Sequence, residues 1–113
     1  MPLIQVKTNT VLSPETETIL KSELGKAISL IPGKNENWLM VNFQPESHLW
    51  FRGTNDPAVL AEVSVFGASS KDAYDRLTAE LCRIFKERLS VPSDRIYVKY
   101  AETPYWGWNG SNF

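Results

Sequence analysis

Residues 70–100 read SKDAYDRLTAELCRIFKERLSVPSDRIYVKY, and in them a helix pattern runs directly into a strand pattern. Residues 13–43 repeat this order of patterns 57 positions earlier in the chain. When the two segments are aligned with this shift, similar residues match, as in Leu20 and Leu77, Glu23 and Glu80, Leu24 and Leu81, Ile28 and Phe85, and Val41 and Val98. Such a repeat indicates two copies of one structural unit, here residues 2–46 and 59–103.

Each helix pattern begins with a serine suited to the N-cap. Ser13 is followed by Pro14, whose missing N–H costs nothing at the first helical position, and Ser70 is followed by Asp72 in the first turn. Apolar residues then recur with helical spacing: Leu20, Leu24, Ala27, Ile28 and Ile31 in the first segment, and Tyr74, Leu77, Leu81, Ile84 and Phe85 in the second. We therefore predict two amphipathic helices that pack in the core, the first ending at Pro32-Gly33.

Strands are predicted on both sides of each helix. Short apolar runs at 2–6 and 63–66 precede the helices, and alternating runs at Trp38–Phe43 and Arg95–Tyr100 follow them. A strand joined to a parallel strand through one helix crosses over with a fixed hand, so both units fit one four-stranded sheet with both helices on one face. The predicted fold class is therefore α+β, with two layers. Two smaller features are also predicted, a short strand at His48–Gly53 and a tight hairpin at Asn109-Gly110.

The alternation leaves the second face of the sheet uncovered. Met40, Asn42, Tyr97 and Lys99 point to that face, which mixes apolar and polar groups instead of being uniformly polar. Such a face is most easily explained if other subunits cover it, so we expect an oligomer.

Composition limits the classes of function. The 113 residues contain 12 Lys and Arg against 13 Asp and Glu, for a formal net charge of -1 and no basic stripe, so a nucleic-acid partner is not expected. The length fits one domain spanning residues 1–113, and no apolar stretch approaches the ~20 residues of a membrane span. We expect a cytoplasmic protein. Cys82 and His48 are each the only residue of their type and are interpreted as structural, so no metal or cofactor is expected.

Pro2 is a candidate general base. Removal of Met1 would turn Pro2 into a free secondary amine at the start of an apolar strand. An α-amino group titrates near ~8, and burial or a neighbouring cation favours its neutral form, which accepts a proton. The alternative is that proline at this position serves only the efficient removal of Met1.

Four motifs in a common order carry a resemblance to a known family. They are Met1–Val6 with Thr8-Asn9, the pair Gly33-Lys34, the segment Ser93–Val98, and the tail Gly107–Phe113. Together they resemble the macrophage migration inhibitory factor family of the tautomerase superfamily, and the resemblance spans the whole chain. It implies a β-α-β pseudo-repeat and a symmetric homotrimer with sites at the subunit boundaries. It also implies a small α-keto acid substrate and no cofactor.

The resemblance also implies roles for individual residues. Pro2 matches the catalytic base, Lys34 the cation that holds a substrate carboxylate, and Phe66 the position whose backbone amide assists it. Tyr97 of a neighbouring subunit matches the aromatic residue that lines the pocket. The pocket rim is matched by Trp38, Trp106, Trp108 and Phe113. Two simpler readings stay open: Lys34 as a solvated residue after a helix, and the aromatic residues as packing at a subunit boundary.

The implied reaction is keto–enol tautomerisation of the phenylpyruvate or dopachrome type. Enolisation needs a base near the carbon acid, stabilisation of the developing enolate, and a group that returns the proton. Pro2 can perform both proton steps. With aromatic residues around it and Lys34 near it, its pKa is expected to fall toward neutral pH.

At two places the sequence departs from the family pattern, and this changes which family properties we expect of this chain. Residues 58–61, Ala-Val-Leu-Ala, stand where a Cys-x-x-Cys would be, so thiol redox chemistry through that motif is excluded. Lys99 stands where the vertebrate protein has asparagine, so we expect a more cationic pocket wall and an altered preference for the aromatic end of the substrate.

Two other function classes stay open. The protein could be a receptor-binding module with a vestigial site, or a hydratase or dehalogenase of unsaturated acids that uses the same proline. The second class generally needs further arginine and acidic groups near the proline. The arginines of this chain are predicted on the surface or in helices: Arg52, Arg76, Arg83, Arg88 and Arg95.

Overall fold

The computed structural model describes residues 1–113 and contains six β-strands and two α-helices, joined in part by 3-10 turns. The helices are α1 (Pro14–Ala27) and α2 (Lys71–Leu89). The strands are β1 (Pro2–Thr8), β2 (Met40–Gln44), β3 (Val59–Phe66), β4 (Ile96–Thr103), β5 (Gly107–Trp108) and β6 (Ser111–Asn112).

Four strands form one mixed sheet in the order β2-β1-β3-β4. β1 pairs in parallel with β2, and β3 pairs in parallel with β4. The two pairs meet through the antiparallel contact of β1 with β3. Each parallel pair is joined through one helix, as a parallel connection requires. The predicted α+β class, with a β-α-β arrangement in each half, is confirmed.

Both helices cover the same face of this sheet. The core contains apolar residues from α1, α2 and alternate positions of the strands, with Leu20, Leu24, Leu77, Leu81, Ile84, Phe85, Ile4, Val6, Val63 and Val65 among those that are fully buried. Burial of one such side chain contributes about 1.5–3 kcal/mol. The apolar stripes predicted for the helices therefore form the core, except that Tyr74 is only half-buried.

The serine caps are present at both helices. The Ser13 side chain accepts a hydrogen bond from the Thr16 N–H at 3.2 Å, and the Ser70 side chain accepts one from the Ala73 N–H at 3.1 Å. α1 ends at Ala27 and continues as a 3-10 turn through Leu30, so the predicted end at Pro32 was a few residues late.

Two predicted strands begin later than their sequence pattern suggested. Trp38 lies in a 3-10 turn, because the Asn35 side chain accepts the Asn37 N–H at 2.9 Å and the Asn35 carbonyl accepts the Trp38 N–H at 3.3 Å. Arg95 lies in another 3-10 turn, Ser93–Arg95, that closes on the Pro92 carbonyl. Local hydrogen bonds remove both residues from the sheet although their side chains continue the alternation.

The strand predicted at His48–Gly53 is wrong. The segment contains only an isolated bridge between Phe51 and Thr54 around a tight turn. The turn places Arg52 at φ 53° and Gly53 at φ 81°, which is the conformation of a two-residue hairpin turn, but the pairing stops at the single bridge of Phe51 with Thr54. By contrast, the predicted hairpin is present: Asn109 (φ 51°) and Gly110 (φ 91°) connect β5 and β6.

The second face of the sheet carries no helix. Met40 is 68% exposed and Tyr97 is 62% exposed, so large side chains stand on that face without cover within the chain. An oligomer that covers the face remains a prediction. Neither α-helix has the length and apolarity needed to cross a membrane.

Candidate functional site

Pro2 is buried at the first position of β1. A proline is tolerated at the start of a strand, since its missing N–H is not needed there for the ladder. Pro2 lies opposite Val65 of β3, and the preceding Met1 carbonyl accepts the Phe66 N–H at 3.0 Å. The ends of two central strands therefore hold the amino terminus in a defined position.

Lys34 approaches the same place from the loop after α1. Its ammonium group donates a hydrogen bond to the Phe66 carbonyl at 2.9 Å. Gly33, at φ 81°, makes the left-handed turn that sends the chain toward the sheet. Lys34 is thus fixed beside the amino terminus and is only partly exposed.

This environment lowers the pKa of the terminal amino group below its usual value of 8.0. Burial is the larger cause, because it disfavours the charged form, and the charge and hydrogen bonding of Lys34 act in the same direction. This amino group is that of Met1, one residue before the Pro2 nitrogen.

Aromatic rings from distant parts of the chain meet beside Pro2. Trp38 packs edge to face against Trp108, with ring centroids 5.0 Å apart. Phe113 lies between Trp108, at 6.3 Å, and Phe66, at 5.7 Å. The terminal hairpin supports this arrangement, since the Phe113 N–H is donated to the Trp106 carbonyl at 3.0 Å. The tail thereby folds back toward the start of β1.

A groove of about 590 Å³ opens between the amino terminus and these rings. It is lined by Met1, Pro2, Leu3, Asn37, Trp38, Leu39, Met40, Trp106, Gly107 and Trp108. Most of these residues are apolar, which suits the ring of an organic acid. Lys34 does not line this groove. It donates a hydrogen bond to the Phe66 carbonyl, and the Phe66 ring packs against the Phe113 ring.

Seven of the nine predicted site residues therefore lie together: Pro2, Lys34, Trp38, Phe66, Trp106, Trp108 and Phe113. Sequence analysis missed Leu3, Asn37, Leu39 and Met40 as lining residues. Leu3 and Met40 are register partners in the parallel β1–β2 pair; the parallel connection was predicted from the sequence, but its register was not.

Tyr97 and Lys99 are not part of this cluster within the chain. Pro2 lies opposite Val65, whereas Tyr97 lies opposite Leu60, five residues farther along β3. At roughly 3.3 Å a residue this separation is about 17 Å. Lys99 lies opposite Glu62 in the β3–β4 ladder, and the Glu62 carboxylate forms an ion pair with Lys7 at 3.2 Å. Only another subunit can bring these two side chains to the groove of Pro2.

Arg95 was predicted as a surface or helical arginine and as the first residue of a strand, but it ends a 3-10 turn. Its guanidinium group is partly buried and binds the backbone of the loop 51–57. No arginine of the chain lines the Pro2 groove.

Comparison with known proteins places these features in a family. The family model for macrophage migration inhibitory factor matches residues 1–113. Macrophage migration inhibitory factor of Mus musculus is 32% identical over 118 residues, covering 100% of this chain and 99% of that protein.

Solved structures agree with this match. The structure of Leishmania major MIF2 has a TM-score of 0.94 at 27% identity and covers 100% of this chain and 97% of its own. The homologue from Prochlorococcus marinus has a TM-score of 0.88 at 28% identity, with 98% of each chain covered. The resemblance noted in the four sequence motifs is confirmed: the chain belongs to the macrophage migration inhibitory factor family and has the tautomerase-superfamily fold.

Proposed function

We propose that this protein is a keto–enol tautomerase whose general base and acid is the amino group of Pro2 after removal of Met1. The observation that carries the proposal is the environment of the chain's start. Pro2 is buried beside an apolar groove, and burial together with Lys34 lowers the pKa of the amino group at this end of β1. Both effects favour the neutral form of an amine at this position, which is the form that accepts a proton.

The contacts of Met1 suggest where a substrate carboxylate binds. The Met1 carbonyl oxygen accepts the Phe66 N–H at 3.0 Å, and Lys34 donates to the Phe66 carbonyl at 2.9 Å. Loss of Met1 frees the Phe66 N–H beside the Lys34 ammonium group. A carboxylate oxygen can take the place of the Met1 oxygen and gain a charge-assisted contact with Lys34.

The proton transfers follow from this placement. In the keto-to-enol direction the neutral Pro2 amine takes a proton from the carbon next to the carbonyl, and the electron pair moves onto the carbonyl oxygen. The Pro2 ammonium then returns the proton to that oxygen, which yields the enol and restores the neutral amine. The Lys34 charge stabilises the anionic intermediate.

The groove favours an aromatic α-keto acid such as phenylpyruvate. Its walls include Trp38, Trp106 and Trp108, and rings of this kind pack offset or edge to face against a phenyl group. The substrate carboxylate then points to Lys34 and the Phe66 N–H, and its ring points into the groove.

The proposal includes a homotrimer with sites at the subunit boundaries. Tyr97 and Lys99 stand on the uncovered face of the sheet and are too far from Pro2 of their own chain to reach its groove. A neighbouring subunit supplies them in a closed cyclic assembly, with Tyr97 lining the pocket and Lys99 at its wall.

A spectrophotometric enol–keto assay with phenylpyruvate tests the function, with the amino terminus established by mass spectrometry in the same sample. We expect activity only in protein that begins at Pro2, because in the Met1-containing chain the Pro2 nitrogen is an amide without a basic lone pair. Full activity with Met1 retained would refute the mechanism. A haloacrylate serves as the comparison substrate, and the absence of arginine from the groove predicts no turnover of it.

A receptor-binding role is the second candidate, and the name of the 32% identical mouse relative favours it. A binding module with a vestigial site would be well folded and inactive toward phenylpyruvate in the Met1-free form. The same assay therefore separates the two candidates.

A further inference from the structure

Arg95 holds the loop that precedes β3, whereas Pro2 lies opposite Val65 near the other end of that strand. Four hydrogen bonds join its guanidinium group to backbone carbonyls of one loop: to Pro57 at 2.9 Å, Phe51 at 3.1 Å, Asp56 at 3.0 Å and Thr54 at 3.3 Å. Only the planar fork of arginine directs donors to so many acceptors at once. A lysine has a single ammonium nitrogen and cannot span them.

The same loop carries the ring that supports Tyr97. The Phe51 and Tyr97 rings pack edge to face with centroids 4.7 Å apart, and the Arg95 guanidinium carbon lies 5.4 Å from the centre of the Phe51 ring. Tyr97 makes no other ring contact in the chain, and 62% of its surface is exposed. The orientation of Tyr97 therefore depends on where the loop places Phe51.

Asn9 anchors the loop from β1. Its side-chain amide donates to the carbonyls of Asp56 at 2.9 Å and Asn55 at 3.1 Å and accepts the Ala58 N–H at 2.9 Å. Asn9 thus fixes the end of the loop that enters β3. Near the turn that carries Phe51, Asn9 reaches only the Leu49 carbonyl at 3.4 Å, whereas Arg95 donates to the carbonyls of Phe51 and Thr54, which also bond each other through the backbone.

We propose that Arg95 is a positioning residue: through the loop 51–57 and the Phe51 ring it orients Tyr97 as the wall of the neighbouring subunit's pocket. The inference rests on the proposed function only in its last step, the use of Tyr97 by that pocket. Arg95 itself touches neither Pro2 nor the groove.

Steady-state kinetics of Arg95→Lys with phenylpyruvate test that step. Lysine keeps the charge but loses most of the loop contacts, so the Tyr97 ring loses its fixed orientation. We expect KM to rise about threefold to tenfold with kcat nearly unchanged, because the proton transfers at Pro2 do not involve the loop. Arg88→Lys is the matched control, since Arg88 binds Glu23 on the helical side, and it should leave KM unchanged.

The same substitution in a Tyr97→Ala background separates positioning from general damage. If Arg95 acts through Tyr97, Arg95→Lys adds no further increase in KM once the ring is gone. An equal increase in both backgrounds would overturn the proposal. Phe51→Leu provides a second route, because it removes the supporting ring and leaves the bonds of Arg95, and it should reproduce the change in KM.

The tyrosine ring resonances give a readout that does not depend on catalysis. In protein with labelled tyrosine, Arg95→Lys should move the Tyr97 signal, assigned with Tyr97→Phe, and leave the signals of Tyr74 and Tyr100, which pack on each other at 4.5 Å. An unmoved Tyr97 signal would refute the positioning. If wild-type protein does not act on phenylpyruvate, the proposed function fails, and the spectrum alone decides the role of Arg95.

Discussion

The site depends on a few residues whose roles follow from their neighbours. The start of β1 is buried, Lys34 is bonded to the Phe66 carbonyl, and Phe66 also donates its N–H to Met1. One residue of β3 therefore connects the cation and the chain's start. Neither backbone contact of Phe66 can be predicted from a local sequence pattern, because each joins residues that are distant in the chain.

Lys34→Ala is expected to weaken binding of keto acids about tenfold or more, since it removes a charge-assisted contact with the substrate carboxylate. KM should rise more for phenylpyruvate than for its uncharged ester. Lys86→Ala, an exposed lysine in the last turn of α2, is the control and should change neither value. Equal losses for acid and ester would argue against a carboxylate contact.

The same variant should shift the pH profile of kcat/KM. Burial and Lys34 both hold the pKa of the amino group down, so removing Lys34 raises that pKa in part while burial continues to lower it. The rate rises with pH as the base becomes neutral. The midpoint of the acidic limb should therefore move to higher pH, and a midpoint that stays in place would contradict the like-charge contribution.

The elements were predictable where one local signal was sufficient. The caps at Ser13 and Ser70, the helical stripes and the Asn109-Gly110 turn are local, and the structure contains each of them. The strand starts predicted at Trp38 and Arg95 were wrong because both residues lie in 3-10 turns. The backbone hydrogen bonds of these turns compete with strand pairing, and the alternation of apolar and polar residues does not reveal them. The strand predicted at His48–Gly53 was wrong because this segment belongs to a loop whose backbone is bonded by the distant guanidinium group of Arg95, which no local pattern reveals.

The cap of α2 gives a stability test at this scale. Ser70→Ala removes the acceptor of the Ala73 N–H and should lower the free energy of unfolding by about 1 kcal/mol. Urea unfolding measures the change. Ser22→Ala, at an exposed position inside α1, is the control and should be neutral or slightly stabilising because alanine is the better helix former. Equal changes in both variants would mean that the cap contributes nothing.

At the scale of the whole molecule, both helices pack on one face of the sheet, and the other face carries large exposed side chains such as Met40 and Tyr97. The sequence pattern predicted both faces, and the register then shows that Tyr97 and Pro2 of one chain are offset by about 17 Å along the strands and lie two strands apart. No pattern within one chain indicates which subunit face meets which. The assignment of Tyr97 and Lys99 to a shared pocket therefore rests on the proposed trimer.

Mixed assemblies test that trimer. Pro2→Ala and Tyr97→Ala subunits are each impaired, but in a randomly mixed trimer about a quarter of the sites combine an intact Pro2 with an intact Tyr97 from the neighbour. Activity after subunit exchange should exceed the mean of the two separate variants. Sedimentation establishes the oligomeric state in parallel. Activity equal to that mean would place each site within one chain.

The decisive measurement of proton transfer by the Pro2 amine is the turnover of phenylpyruvate by Pro2→Ala beside the wild-type protein. Both proteins should have Met1 absent by mass spectrometry and the same sedimentation and thermal unfolding. We predict that kcat falls by about 10² or more in the variant, the scale expected for loss of a positioned base. A variant that turns over phenylpyruvate as fast as the wild type would contradict it.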